Sequence, residues 1–143
     1  MKAIRSPDLR RLHEHWEARR DGREVPSRAD FDVLDLKFMI GKIVLFDVAY
    51  DPLRYHCRLH GTSIGRRVGW EMTGKSMDDI PSPSLRAKMH ADFARVIEQR
   101  KPTVETRERE LTENGTVDCE VLILPLSNDG TIIDMLMIGM VFQ

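Results

Sequence analysis

The stretch from Arg54 to Ile80, RYHCRLHGTSIGRRVGWEMTGKSMDDI, does most to limit how this chain can fold. It opens as an alternating strand: Tyr55, Cys57 and Leu59 share one face, and Arg54, His56, Arg58 and His60 the other. Gly61-Thr62 stops the strand and offers a threonine oxygen to the free amides of a short helical turn. Gly69 suits the left-handed exit of that turn, and Trp70 to Lys75 begins a second, irregular piece. A strand that breaks into several short turns is expected to wall a cavity. No catalytic signature lies here, which points to a sensing module rather than an enzyme.

With 143 residues the chain has room for one domain and one real core. Its 41% hydrophobic and 31% charged residues exclude a disordered chain. A formal net charge of −1 gives no reason to expect a nucleic-acid or membrane-surface partner. The arginines of the first thirty residues are interleaved with acids and read as a solvated helix face. No apolar run approaches the roughly 18 residues of a membrane span. Met1 to Arg5 lacks the apolar core of a signal peptide, so a cytoplasmic protein is expected. Cys57 and Cys119 have no partner cysteine at metal-ligand spacing and read as buried thiols.

Taken in order, Ser6-Pro7-Asp8 starts a helix that carries Leu9, Leu12 and Trp16 and ends at Arg19-Arg20-Asp21-Gly22. That stripe is narrow, a seam more than a core-facing surface. Asp32 can cap a second short helix over Val33–Ile40, with Leu36, Met39 and Ile40 inward. Strands are expected from Ile43 to Tyr50 and from Arg54 to His60, joined at Asp51-Pro52. The longest helix runs from about Ser84 to Arg100, with Leu85, Met89, Phe93, Val96 and Ile97 on one face. Thr103–Thr112 is a charged strand suited to a sheet edge. Asn114-Gly115 marks a hairpin into Thr116–Leu126, where Pro125 suggests a bulge or an edge. Thr131–Phe142 is apolar on both faces except at Asp134, as a central strand should be.

This order and these residues resemble the PAS domain superfamily, in particular the single-domain PAS-like proteins of alphaproteobacteria. The matching residues are Leu12 to Trp16, Arg20 to Arg28, Asp35-Leu36, Phe46 to Val48, Arg58 to Thr62, Gly69 to Gly74, Leu124 to Gly130 and Asp134 to Leu136. The resemblance implies an α+β fold: a five-stranded antiparallel sheet of order 2-1-5-4-3, helices over one face, and an extra N-terminal helix outside that core. It divides the chain into a helical extension, 1–41, and a PAS-like domain, 42–143. It implies sensing or protein contact without fixing a ligand. The N-C-R-F-L-Q string of the flavin-binding, photoreactive kind is absent, and His90 stands on the long helix without the pattern of the haem-binding kind. Neither haem nor flavin is therefore expected.

The remaining histidines give no metal set: His13 and His15 diverge on a helix, and His56 and His60 lie on the charged strand face. Asp134 needs partners if buried, and Arg54 or Arg58 could supply a charge-assisted pair; the alternative is a strand-end aspartate exposed at the sheet edge. The function expected is a signalling module without an output domain, acting through a small apolar molecule, a signalling protein partner or both. Its pocket should lie between the sheet and the long helix, lined by Tyr55, Cys57, Leu59, Trp70, Met72, Phe93, Ile97, Met135 and Met137. Leu9, Leu12 and Trp16 are expected at a homodimer interface. The alternatives are a small isomerase or cyclase, with Glu71 or Asp134 as the only candidate bases, and a ligand-free adaptor.

Overall fold

A strand apolar on both sides belongs between two others, and the chain puts it there. In the computed structural model, which describes residues 1–143, five strands form one antiparallel sheet: β1 Ile43–Ala49, β2 Arg54–His60, β3 Thr103–Thr112, β4 Gly115–Leu126 and β5 Met135–Phe142. Their order is β2-β1-β5-β4-β3, as the resemblance implied, with β5 in the middle and the charged β3 at an edge. β5 begins at Met135 rather than Thr131 because Asp129 folds the preceding residues into a turn. Its Oδ1 accepts from the amides of Thr131 at 2.8 Å and Ile132 at 2.9 Å. Asp134 stays outside the strand and accepts from the Asn128 amide at 2.8 Å. It pairs with neither Arg54 nor Arg58; Arg58 Nε donates to both carboxylate oxygens of Asp47 at 3.0 Å.

Helix α1, Pro7–Arg20, opens where Ser6 accepts from the Leu9 amide. Glu120, 1% exposed on β4, receives the amides of Arg5 at 2.7 Å and Ser6 at 2.8 Å, which ties the helix start to the sheet. Leu9, Leu12 and Trp16, expected to face a second copy, are instead 0%, 0% and 1% exposed on the chain's own sheet. Trp16 Nε1 donates to Pro125 O at 2.9 Å, in a stretch of β4 beyond its last pairing with β3, Thr103 with Ile123. Gly139 on β5 lets the helix come close: a Cβ there would lie 2.7 Å from a Leu12 methyl and 2.8 Å from a Leu9 methyl. These three side chains belong to the same hydrophobic cluster as the strands.

A 3-10 turn at Arg28–Asp30 and a longer one at Val33–Met39 link α1 to β1. Leu36 and Met39 point inward as expected, but Ile40 follows the turn and is 72% exposed. The other face of the sheet carries helix α2, Thr62–Val68, a 3-10 turn at Met77–Asp79, and helix α3, Pro83–Gln99, capped by Ser82. Thr62 does not cap α2; it is the first helical residue. The Ser63 and Ile64 amides donate to Gly41 O at 3.1 and 3.3 Å. A Cβ on Gly61 would lie 2.3 Å from that oxygen, so only glycine fits. The outer edge of β2 is covered as well: Cys57 exchanges backbone hydrogen bonds with Lys75 and Gly74, both 2.8 Å.

Candidate functional site

Two faces of one sheet are distinguished by residue parity. On β4, Glu120 reaches α1, so Val121 and its odd-numbered neighbours face α3. On β5, Gly139 meets α1, so Ile138 and Met140 face α3. Their cross-strand neighbours on β1 follow, with Val44 opposite Ile138 and Phe46 opposite Leu136. Above this face α2 contributes Ile64 and Val68, the irregular segment Trp70, Met72 and Ile80, and α3 Leu85, Met89 and Phe93. Together they line a partly open cavity of about 70 Å³. That is room for about two waters at ~30 Å³ each. All but two of its lining side chains are apolar; the exceptions are His60 and Arg107.

The structure brings together three of the pocket residues expected from the sequence: Trp70, Met72 and Phe93. Tyr55 lies beyond them, its ring edge-on to Phe93 at 5.1 Å and its hydroxyl buried without a partner. Cys57 is buried below, its Sγ 3.4 Å from Leu59 O, and burial pushes its thiol up to about 12. That thiol is therefore neither a nucleophile nor a ready ligand near neutral pH. Ile97 packs on the core without reaching the cavity. Met135 and Met137 are on the α1 face with Leu45 and Gly139, one residue out of step with the cavity. Leu59 is also on that face, 45% exposed.

Leu59 and His60 exchange their expected sides because β2 is bulged. Leu59 pairs with Leu45 and Cys57 with Phe46, which leaves Arg58 as an extra residue. The bulge turns His60 from the charged face into the cavity wall, where it is 7% exposed. Burial lowers its pKa below the usual imidazole value, opposed by the Glu71 carboxylate. The Nδ1–Oε2 distance of 3.7 Å is too long for a hydrogen bond, and Nδ1 is buried without a partner. Glu71 itself is half exposed at the rim, and the hydroxyl and amide of Thr73 hold its carboxyl below the ordinary range. The Thr73 hydroxyl in turn accepts from the His60 amide at 3.0 Å.

Arg107 enters from the far edge of the sheet. It pairs with Cys119 on the α3 side of β3, and its guanidinium donates to Asp92 on α3 at 3.1 Å. Asp92 also meets Arg95 at 3.5 Å. Both candidate bases of the enzyme reading lie outside the lining: Glu71 at the rim and Asp134 at the start of β5. His90 is on α3, 3.2 Å from Asp78, and does not line the cavity.

A sheet of order 2-1-5-4-3 with helices over a cavity on one face is the PAS-like α+β architecture that the resemblance implied. The PAS domain family matches residues 4–141, and the chain belongs to it. Solved structures share the fold. A light-oxygen-voltage domain studied with a flavin analogue has TM-score 0.57 and 14% identity, over 78% of this chain and 83% of that one. The light-oxygen-voltage protein of Rhodobacter sphaeroides has TM-score 0.56 and 10% identity, over 97% and 68%. The N-terminal domain of a diguanylate cyclase with a PAS/PAC sensor from Marinobacter aquaeolei has TM-score 0.50 and 15% identity, over 71% and 94%. No curated protein matches the chain.

Proposed function

We propose that this protein is a sensory module, not an enzyme, and that it binds a small apolar molecule in the cavity between the sheet, α2 and α3. The observation that carries this is the cavity itself: partly open, apolar, and walled on one side by irregular chain between Gly69 and Ser82. Met72, Met89 and Met140 line it, and unbranched methionines can repack around guests of different shape. The signal passes by non-covalent contact with a partner protein. Exposed Val33, Ile40 and Leu59 line one apolar groove beside β1 and β2 suited to such contact, and a homodimer would use it in place of the buried α1 stripe.

The light-oxygen-voltage neighbours make a flavin plausible, against the expectation from the sequence. The residues present do not suit it. A tricyclic ring edged with nitrogen and oxygen needs far more than 70 Å³ and several hydrogen-bonding partners, and the lining offers two polar side chains. Native mass spectrometry of protein purified from its own host tests the proposal. A co-purifying organic molecule of low mass is expected, lost when Met89→Trp fills the cavity. Flavin mass in the wild type would replace the proposed ligand, and protein free of any small molecule would favour the adaptor reading.

A further inference from the structure

The cavity described above is not uniformly apolar, and the position of its one permanent charge sets the class of guest. Arg107 is on the far edge strand, and its side chain is 9% exposed. A guanidinium carries five N–H donors in a planar fork suited to a carboxylate. One hydrogen bond is made, from Nη2 to Asp92 Oδ2. No other donor of the fork has a protein partner, and none is sealed from water, since Arg107 also lines an open groove beside Asp92, so a guest carboxylate would replace water on them. Asp92, for its part, would not be stranded by sharing, since Arg95 lies 3.5 Å from its other oxygen.

Resting on the reading that the cavity binds a small molecule, the geometry points to an apolar acid as the guest: a short aliphatic body among Met72, Met89, Phe93 and Met140, and a carboxylate taken by Arg107 in competition with Asp92. The acid group would also act on a network that reaches the chain's beginning. Arg107, Asp92, Arg95, Glu105 and Lys2 form one run of ion pairs at 3.1, 3.5, 3.5 and 2.9 Å. A carboxylate that draws Arg107 away from Asp92 loosens the first link of that run and leaves Asp92 to Arg95.

The test compares hexanoate, ionised at pH 7, with hexan-1-ol, which has the same chain and no charge; both exceed the 70 Å³ the cavity offers at rest and enter only as Met72, Met89 and Met140 repack around them. Binding is read from the fluorescence of Trp70 in the cavity wall, with Trp16 buried on the opposite face of the sheet. Hexanoate is expected to bind the wild type about tenfold more tightly than the alcohol, a difference typical of a charge-assisted fork. In Arg107→Met the preference should vanish, with acid and alcohol binding alike. In Asp92→Asn, which removes the competitor, hexanoate should bind more tightly than in the wild type. Equal binding of acid and alcohol to the wild type, or a preference that survives in Arg107→Met, overturns the acid assignment and leaves the cavity reading intact. Failure of both compounds to bind removes the cavity reading and the acid with it.

Discussion

The two faces of the sheet are covered in different ways. On one, a continuous 14-residue helix lays Leu9, Leu12 and Trp16 against β4 and β5, with Gly139 cut to admit them and Glu120 fixing the helix start. On the other, a seven-residue helix, a 3-10 turn and one longer helix share the cover, and a gap remains among them. Both covers bury apolar side chains. The difference is that a regular helix can fit a sheet at close to crystal density, whereas several short pieces leave voids where their ends fail to meet. The closed face gives the fold its anchor, and the open face carries the function we assign.

That contrast makes the closed face the more sensitive to truncation. Trp16→Ala should cost about 3–5 kcal/mol in urea unfolding, because it empties a fully buried site and strands Pro125 O. Gly139→Ala should cost about 1–3 kcal/mol, since its new methyl has no room beside Leu9 and Leu12. On the open face Val121→Ile adds a methylene of similar size next to the cavity. It should leave stability unchanged or raise it by up to about 1 kcal/mol, as cavity-filling changes do. A loss as large as that of Gly139→Ala would mean that the two faces are packed alike.

Much of the fold was legible in the sequence, though not the covering of both faces, and the part that was not has a physical cause. Turn residues at Asp51-Pro52, Asn114-Gly115 and Asp129-Gly130 marked where the strands end, Ser82-Pro83 marked the long helix, and the family resemblance supplied the strand order. The side of β5 was harder. Met135 to Met140 are apolar on both faces, so a period of two carries no information about which face is which. Gly139 held the missing signal: a glycine in a central strand marks a close approach, and the helix with the tight stripe is the element that approaches. His60 was hidden by the bulge at Arg58, since alternation holds only while no residue is inserted. Arg107 was hidden by its neighbours: among the charges of an edge strand, nothing in the sequence separates the one that turns inward. The α1 stripe looked too narrow for a core because three large side chains suffice where a sheet lies directly beneath them.

A smaller effect follows from His60 on the open face. Burial lowers its pKa in the folded state, so the unfolded chain takes up a proton first as pH falls. The wild type should therefore lose stability as pH drops through about 6.5, the ordinary imidazole value, towards the lower folded value. His60→Phe should remove that contribution, measured as the difference in urea midpoint between pH 7.5 and pH 5.5. An unchanged pH dependence would place the imidazole in water rather than in the wall.

The methionines allow both faces to be read in one experiment. Met72, Met89 and Met140 line the cavity, while Met39, Met135 and Met137 are on the α1 side. With the methionine methyls labelled, a titration with hexan-1-ol followed by carbon–proton correlation spectra reports where a small apolar molecule goes, whatever its charge. Shifts of the Met72, Met89 and Met140 methyls that saturate together, with those of Met39 and Met137 unmoved, are the result this account requires. Shifts centred on Met39 and Met137, or none at all, would contradict it.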